Sequence, residues 1–135
     1  MKNLALLLII SGIIVASACS KNEKSERFLL LTGPEWATDS ILANGADARQ
    51  DPVFGKFMGD ARFNTDGTGF FGIYTGTWRF NVAETQITIV TDSLPLPIVN
   101  DIIELTKISF KIKTLIPNQA IPDQPIKIRM TFKAK

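Results

Sequence analysis

Apolar and polar residues alternate with a period of two along much of the chain. Trp78, Phe80 and Val82 alternate with Thr77, Arg79 and Asn81, and Ile87 and Ile89 alternate with Thr88 and Val90. The clearest runs come last. Ile108, Phe110 and Ile112 alternate with Lys107, Ser109, Lys111 and Lys113, and Ile126, Ile128, Met130 and Phe132 alternate with Lys127, Arg129, Thr131 and Lys133. This period places successive side chains on opposite faces of a strand, so each run predicts one buried face and one wet face. Asn64-Thr65-Asp66-Gly67-Thr68 predicts a tight hairpin, because Asp-Gly accepts the positive φ that such turns need. Gly33-Pro34, Asn44-Gly45, Asp51-Pro52 and the prolines at 95, 97, 117, 122 and 125 mark further breaks. Ala37 to Arg49 is the one stretch with room for a short helix. The expectation is an all-β antiparallel fold whose strand edges are hidden in a closed up-and-down barrel or a small sandwich.

The first nineteen residues, MKNLALLLIISGIIVASAC, follow a different pattern. Lys2 supplies a basic start, Leu4 to Val15 an apolar core, and Ala16-Ser17-Ala18 the small residues that a signal peptidase accommodates. The run is short for a spanning helix. Cys19, the only cysteine, directly follows Ala18, where bacterial lipoproteins carry the thiol that receives diacylglycerol. The expected organisation is a cleaved signal segment over 1–18, helical in the precursor, then a lipidated Cys19 and polar tether over 19–27, and a folded domain over 28–135. A lone cysteine forms no internal disulfide, whereas two or more acyl chains suffice for stable membrane attachment. Ser20 after the cysteine, in place of the aspartate that marks inner-membrane retention in some bacteria, points to the outer membrane of the cell envelope.

With Lys2 set aside, 14 basic residues face 13 acidic ones, a balance that gives no reason to expect nucleic acid as a partner. The charge is unevenly placed. From Lys107 onward seven cations face a single acid, Asp123, whereas residues 19–106 carry seven cations and 12 acids. If the last two strands are neighbours, Lys107, Lys111, Lys113, Lys127, Arg129 and Lys133 share an outer face. Such a face either keeps the surface soluble and guards against edge pairing, or meets anionic lipid head groups or an acidic partner.

Several short motifs follow in order: Leu30-Leu31-Thr32-Gly33-Pro34-Glu35-Trp36, Ala61 to Gly69 with its Phe63-x-x-Asp66-Gly67-Thr68 hairpin, Gly76-Thr77-Trp78, Gln86-Ile87-Thr88-Ile89, and Asp101-Ile102-Ile103-Glu104-Leu105-Thr106. This succession resembles the lipocalin-like lipoproteins of bacterial outer envelopes, over most of residues 28–115. The resemblance implies a small up-and-down β-barrel, with Gly33 and Trp36 in its first strand, and a protein that binds and does not catalyse. Gly69, Gly72 and Gly76 predict bends or a bulge in that barrel.

Trp36, Phe63, Phe71, Tyr74, Trp78 and Phe80 then have two roles open to them. They line an apolar pocket at the barrel mouth and hold a small hydrophobic ligand, or they fill a core just wide enough for side chains. Leu94-Pro95-Leu96-Pro97-Ile98-Val99 predicts an apolar, proline-stiffened loop that caps the barrel or presents a contact surface to an envelope protein. The chain contains no histidine, and its cysteine is assigned to lipid, which removes the usual nucleophile–base pairs, zinc sites and redox motifs. No cofactor or metal is expected. Glu35 with Asp39 and Asp101 with Glu104 are the carboxylate pairs left for acid–base work. Asp66 reads as a turn residue, because the further acidic ligands of a calcium loop are missing.

Overall fold

The computed structural model describes residues 23–135, so the signal segment, Cys19 and the first tether residues lie outside it. The described residues open with a helix, α1 (Glu26–Thr32), two residues before the expected domain start at Phe28. Ser25, assigned by sequence to the tether, caps it: the Ser25 Oγ accepts from Phe28 N at 3.0 Å, and Glu26 stands in the first turn. Gly33 N returns to Leu29 O, and Pro34 prevents a further turn. Leu30 to Thr32 are therefore helical, and only Trp36 of the first motif belongs to a strand.

Nine strands follow: β1 (Trp36–Ala43), β2 (Ala46–Asp47), β3 (Asp60–Phe63), β4 (Thr68–Phe71), β5 (Tyr74–Phe80), β6 (Gln86–Thr91), β7 (Ile98–Leu105), β8 (Ser109–Ile116) and β9 (Ile126–Ala134). A short 3-10 helix, Phe54–Phe57, interrupts the β2–β3 connection. All neighbours from β3 to β9 pair antiparallel, and β1 closes the ring by pairing with β9 from Trp36↔Ala134 to Ala43↔Ile128. The result is a closed eight-stranded up-and-down barrel, with β2 as a two-residue hairpin on the outer end of β1. It closes on itself and buries its own core within residues 23–135, which is what a segment needs to fold independently.

The segment Ala37 to Arg49 is a strand, a turn and β2, and not a helix. Its register shifts between Thr38 and Ser40, so the inward residues run Trp36, Thr38, Ile41. One extra residue changes the phase of the alternation and hides a strand from a period-two reading. Two end residues also depart from their expected faces. Val82 lies beyond the end of β5 and is fully exposed, and Ile108 belongs to the β7–β8 turn and is exposed. Val99 and Ile98, expected in the proline loop, open β7.

The core is continuous and mostly aromatic at one end. Trp36, Phe63 and Phe110 are wholly buried, and Phe63 meets Phe110 and Trp78 edge-on at 5.7 and 5.8 Å between centroids. The α1 helix plugs this end: Leu31 is fully buried, Phe28 packs on Trp78, and the Trp36 indole donates to Leu31 O at 3.0 Å. Ser25 Oγ and Arg27 Nε both donate to Glu84, tying the helix to the β5–β6 turn.

Candidate functional site

The strand directions set the opposite end as the mouth. It gathers the β4–β5 turn, the β6–β7 and β8–β9 connections, and the long β1–β3 connection with its 3-10 helix. Beneath that helix lies an apolar cavity of about 30 Å³, walled by Phe71, Ile89, Ile112 and Met130 among others and roofed by Phe54 and Phe57. Its volume is near that of a single water, far below the ~300 Å³ at which small-molecule pockets begin.

Besides Thr38, which bonds the roof, two polar side chains are buried towards the mouth. Asn100, on β7, lines the cavity and donates through Nδ2 to Ile98 O at 3.1 Å and Ile87 O at 3.3 Å. Thr91, the last residue of β6, shares the inward parity of Ile87 and Ile89, and its buried Oγ1 has no hydrogen-bond partner. An unpaired buried hydroxyl is costly, by about 1–3 kcal/mol.

The roof is held at one side only. Phe57 O accepts from the Thr38 hydroxyl at 3.1 Å, Lys56 O accepts from Ile73 N, and the Phe57 ring packs on Tyr74 at 4.7 Å. Gly72, at φ +60°, lets the β4–β5 turn lie against Lys56 and Phe57, where any Cβ would collide with their backbone. On the Phe54 side the bonds are local. Asp51 Oδ1 accepts from the amides of Val53 and Phe54, and Val53 itself caps the 3-10 helix with no side-chain bond. Phe57 is thus bonded to the barrel, and Phe54 is held by bonds within its own loop.

Of the six aromatics singled out by sequence, Phe71 faces the cavity and Tyr74 backs its roof. Trp36, Phe63 and Trp78 pack together in the aromatic core at the plugged end, with Phe80 half-buried against Trp78. Sequence reasoning missed Phe54 and Phe57, which sit in an irregular connection without periodicity, and Asn100, a polar residue in a strand disguised by a bulge.

The six candidate cations are divided among different surroundings. Lys107 lies in the β7–β8 turn at the plugged end. Lys111 pairs with Glu104 at 2.8 Å, and Lys133 with Asp39 at 2.9 Å. Lys113, Lys127 and Arg129 share the outer wall of β8 and β9. The carboxylate pairs are also engaged. Lys135 Nζ bridges Glu35 and Asp60, Asp39 holds Lys133, Gln86 donates to Asp101, and the hydrogen bond from Lys111 keeps the Glu104 carboxyl below its ordinary range. Asp66 closes the hairpin as expected of a turn: its Oδ1 accepts from the Thr68 amide and hydroxyl.

A solved structure of bovine odorant-binding protein, in complex with a selenium-containing odorant, superposes on this barrel. The TM-score is 0.53 over 84% of this chain and 75% of that one, at 15% identity. The fold is lipocalin-like. No protein-family model and no curated protein matches the sequence.

Proposed function

We propose that this chain is a lipid-anchored lipoprotein of the bacterial envelope, held in the outer membrane through Cys19, whose lipocalin-like barrel takes a small hydrophobic ligand at its mouth. The observation that carries the binding reading is the apolar cavity under a one-sided roof: Phe54 closes it from a segment bonded mainly to itself. Outward movement of Phe54 enlarges the cavity along the barrel axis towards Phe71 and Ile112, while Phe57 stays bonded to β1 and the β4–β5 turn. Asn100, which lines the cavity, supplies a polar group to orient a bound molecule, and the unpaired Thr91 hydroxyl lies buried at the same end of the barrel. The structural similarity to an odorant-binding protein supports the same reading at the level of architecture.

The neutral probe N-phenyl-1-naphthylamine tests it on the purified protein. Saturable binding with one site is expected, strengthened by Phe54→Ala and blocked by Ile98→Trp at the rim. Mass spectrometry of organic extracts from the same preparation identifies any co-purifying ligand. A second reading, a barrel with a filled core that docks envelope partners through its surface, is favoured by the small size of the cavity. Absence of probe binding in both the parent protein and Phe54→Ala decides for it.

A further inference from the structure

The outer wall carries a second feature, independent of the cavity. Strands β7, β8 and β9 form a shallow groove of about 680 Å³ that continues to the end of β1. Its floor is apolar: Val99, Ile103 and Leu115 are 49%, 43% and 62% exposed and line the same groove. Lys113, Lys127 and Arg129 also line it.

These three cations differ from their neighbours on the same wall. Lys111 and Lys133 are neutralised by Glu104 and Asp39, but among the described residues Lys113, Lys127 and Arg129 form no ion pair. Lys113 stands directly opposite Arg129 across the β8–β9 ladder, and Leu115 opposite Lys127. Like charges facing each other across strands are destabilising, and an anion seated between them relieves the repulsion. Asp101 lies across from Lys113 on the other side but accepts its hydrogen bond from Gln86, leaving three cations to one acid.

We propose that this groove is a docking surface for anionic phospholipid, with the phosphate between Lys113 and Arg129 and acyl carbons against Val99, Ile103 and Leu115. Charge complementarity fixes the sign of the occupant, and the apolar floor beside the cations fits an amphiphile. Every backbone edge in this wall is already paired within the closed barrel, so no peptide strand can add to it. The position of the chain's start agrees. Ser25 and Arg27 are tied to Glu84, and Gln86, two residues further on, lines the groove. A lipid anchor upstream of Ser25 therefore leaves the barrel beside the same wall.

The test uses residues 23–135, which carry the closed barrel, with thermal unfolding as the check that each variant is folded. Sedimentation with vesicles of phosphatidylglycerol mixed into phosphatidylcholine is compared with phosphatidylcholine alone at low salt. Binding to the anionic vesicles is expected, weakened about 30-fold in Lys113→Gln/Arg129→Gln, as two membrane-facing cations predict. Lys111→Gln/Lys133→Gln removes the same net charge from the same wall and is expected to bind nearly as the parent does. Leu115→Ser is expected to weaken binding while leaving every cation in place. Equal loss in both charge variants, or no binding by the parent, overturns the proposal. So does retention on immobilised polyglutamate without vesicle binding, which assigns the cations to an acidic protein. Because the naphthylamine probe reports the interior cavity and the vesicles report the outer wall, the two sites fail or succeed separately.

Discussion

Trp78 joins more of the plugged end than any other side chain described. Its ring touches Phe28, Phe63 and Phe80, and its indole donates to Asn64 O in the Asp66-Gly67 hairpin at 3.0 Å. Trp78→Ala therefore removes the helix's docking partner, a core ring and a hairpin bond together. A loss of about 3–5 kcal/mol is expected in denaturant unfolding, a large share of the ~5–15 kcal/mol typical of a domain. A change near zero would contradict the packing described. Lys135 acts at the surface, where its ammonium donates to both Asp60 and Glu35 and clips β9 to the start of β1 and β3. That bond holds the Asp60 carboxyl below its ordinary range, and the two acids raise the lysine. A carboxyl depressed in the folded state contributes stability above its unfolded pKa and loses it as pH falls through the folded value. In Lys135→Gln the Asp60 carboxyl, followed by its ¹³C shift, should titrate at higher pH, and the variant should be less stable than the parent at neutral pH, with the difference shrinking as pH falls through the carboxylate range.

Among the elements, legibility followed the regularity of the ladder. Strands β8 and β9 pair without interruption from Ser109↔Lys133 to Ile116↔Ile126, so their alternation survives in the sequence. In β1 a register shift moves the inward phase by one residue, which is why Ala37 to Arg49 left room for a helix, whereas Ile98 and Val99 read as loop because Pro95 and Pro97 precede them. Helix α1 was hidden for a different reason. It has seven residues, too few to show a helical period, and its Leu29-Leu30-Leu31 run reads equally well as strand. The mouth was the least legible part, because Phe54 and Phe57 acquire their role from a loop folded over the barrel and not from spacing. Of the three glycines expected to mark bends or a bulge, Gly72 sits in the β4–β5 turn, whereas Gly69 and Gly76 lie inside regularly paired strands. Gly69 stands opposite Gly76 in the β4–β5 ladder, and a Cβ at Gly76 would collide with the backbone of Val90 and Thr91 on β6. Gly76→Ala must push β5 and β6 apart and should cost about 1–3 kcal/mol by overpacking, read as a lower unfolding midpoint at unchanged m-value. Tolerance of alanine there would show that the sheet spreads more easily than its close approach implies.

At the scale of the whole molecule, the plug and the chain's start lie at one end of the barrel and the mouth at the other. Strand β9, with nine residues, runs about 30 Å, and a strand tilt of 35–45° reduces this to roughly 22 Å between the ends. From Cys19 to Ser25 the chain spans at most about 21 Å when fully extended. If the proposed anchor at Cys19 holds, the barrel can stand with its mouth facing away from the membrane or lie on the wall that carries Lys113 and Arg129, whereas a mouth turned to the leaflet would need the tether stretched to nearly its full reach. All of this geometry depends on the thiol. Cys19→Ser should abolish incorporation of labelled fatty acid and leave an uncleaved or mislocalised precursor. The melting temperature of the barrel should be unchanged, because its core and its ties to α1 lie entirely within residues 25–135. Labelling that persists in the serine variant would place the lipid elsewhere and remove the basis for the two postures.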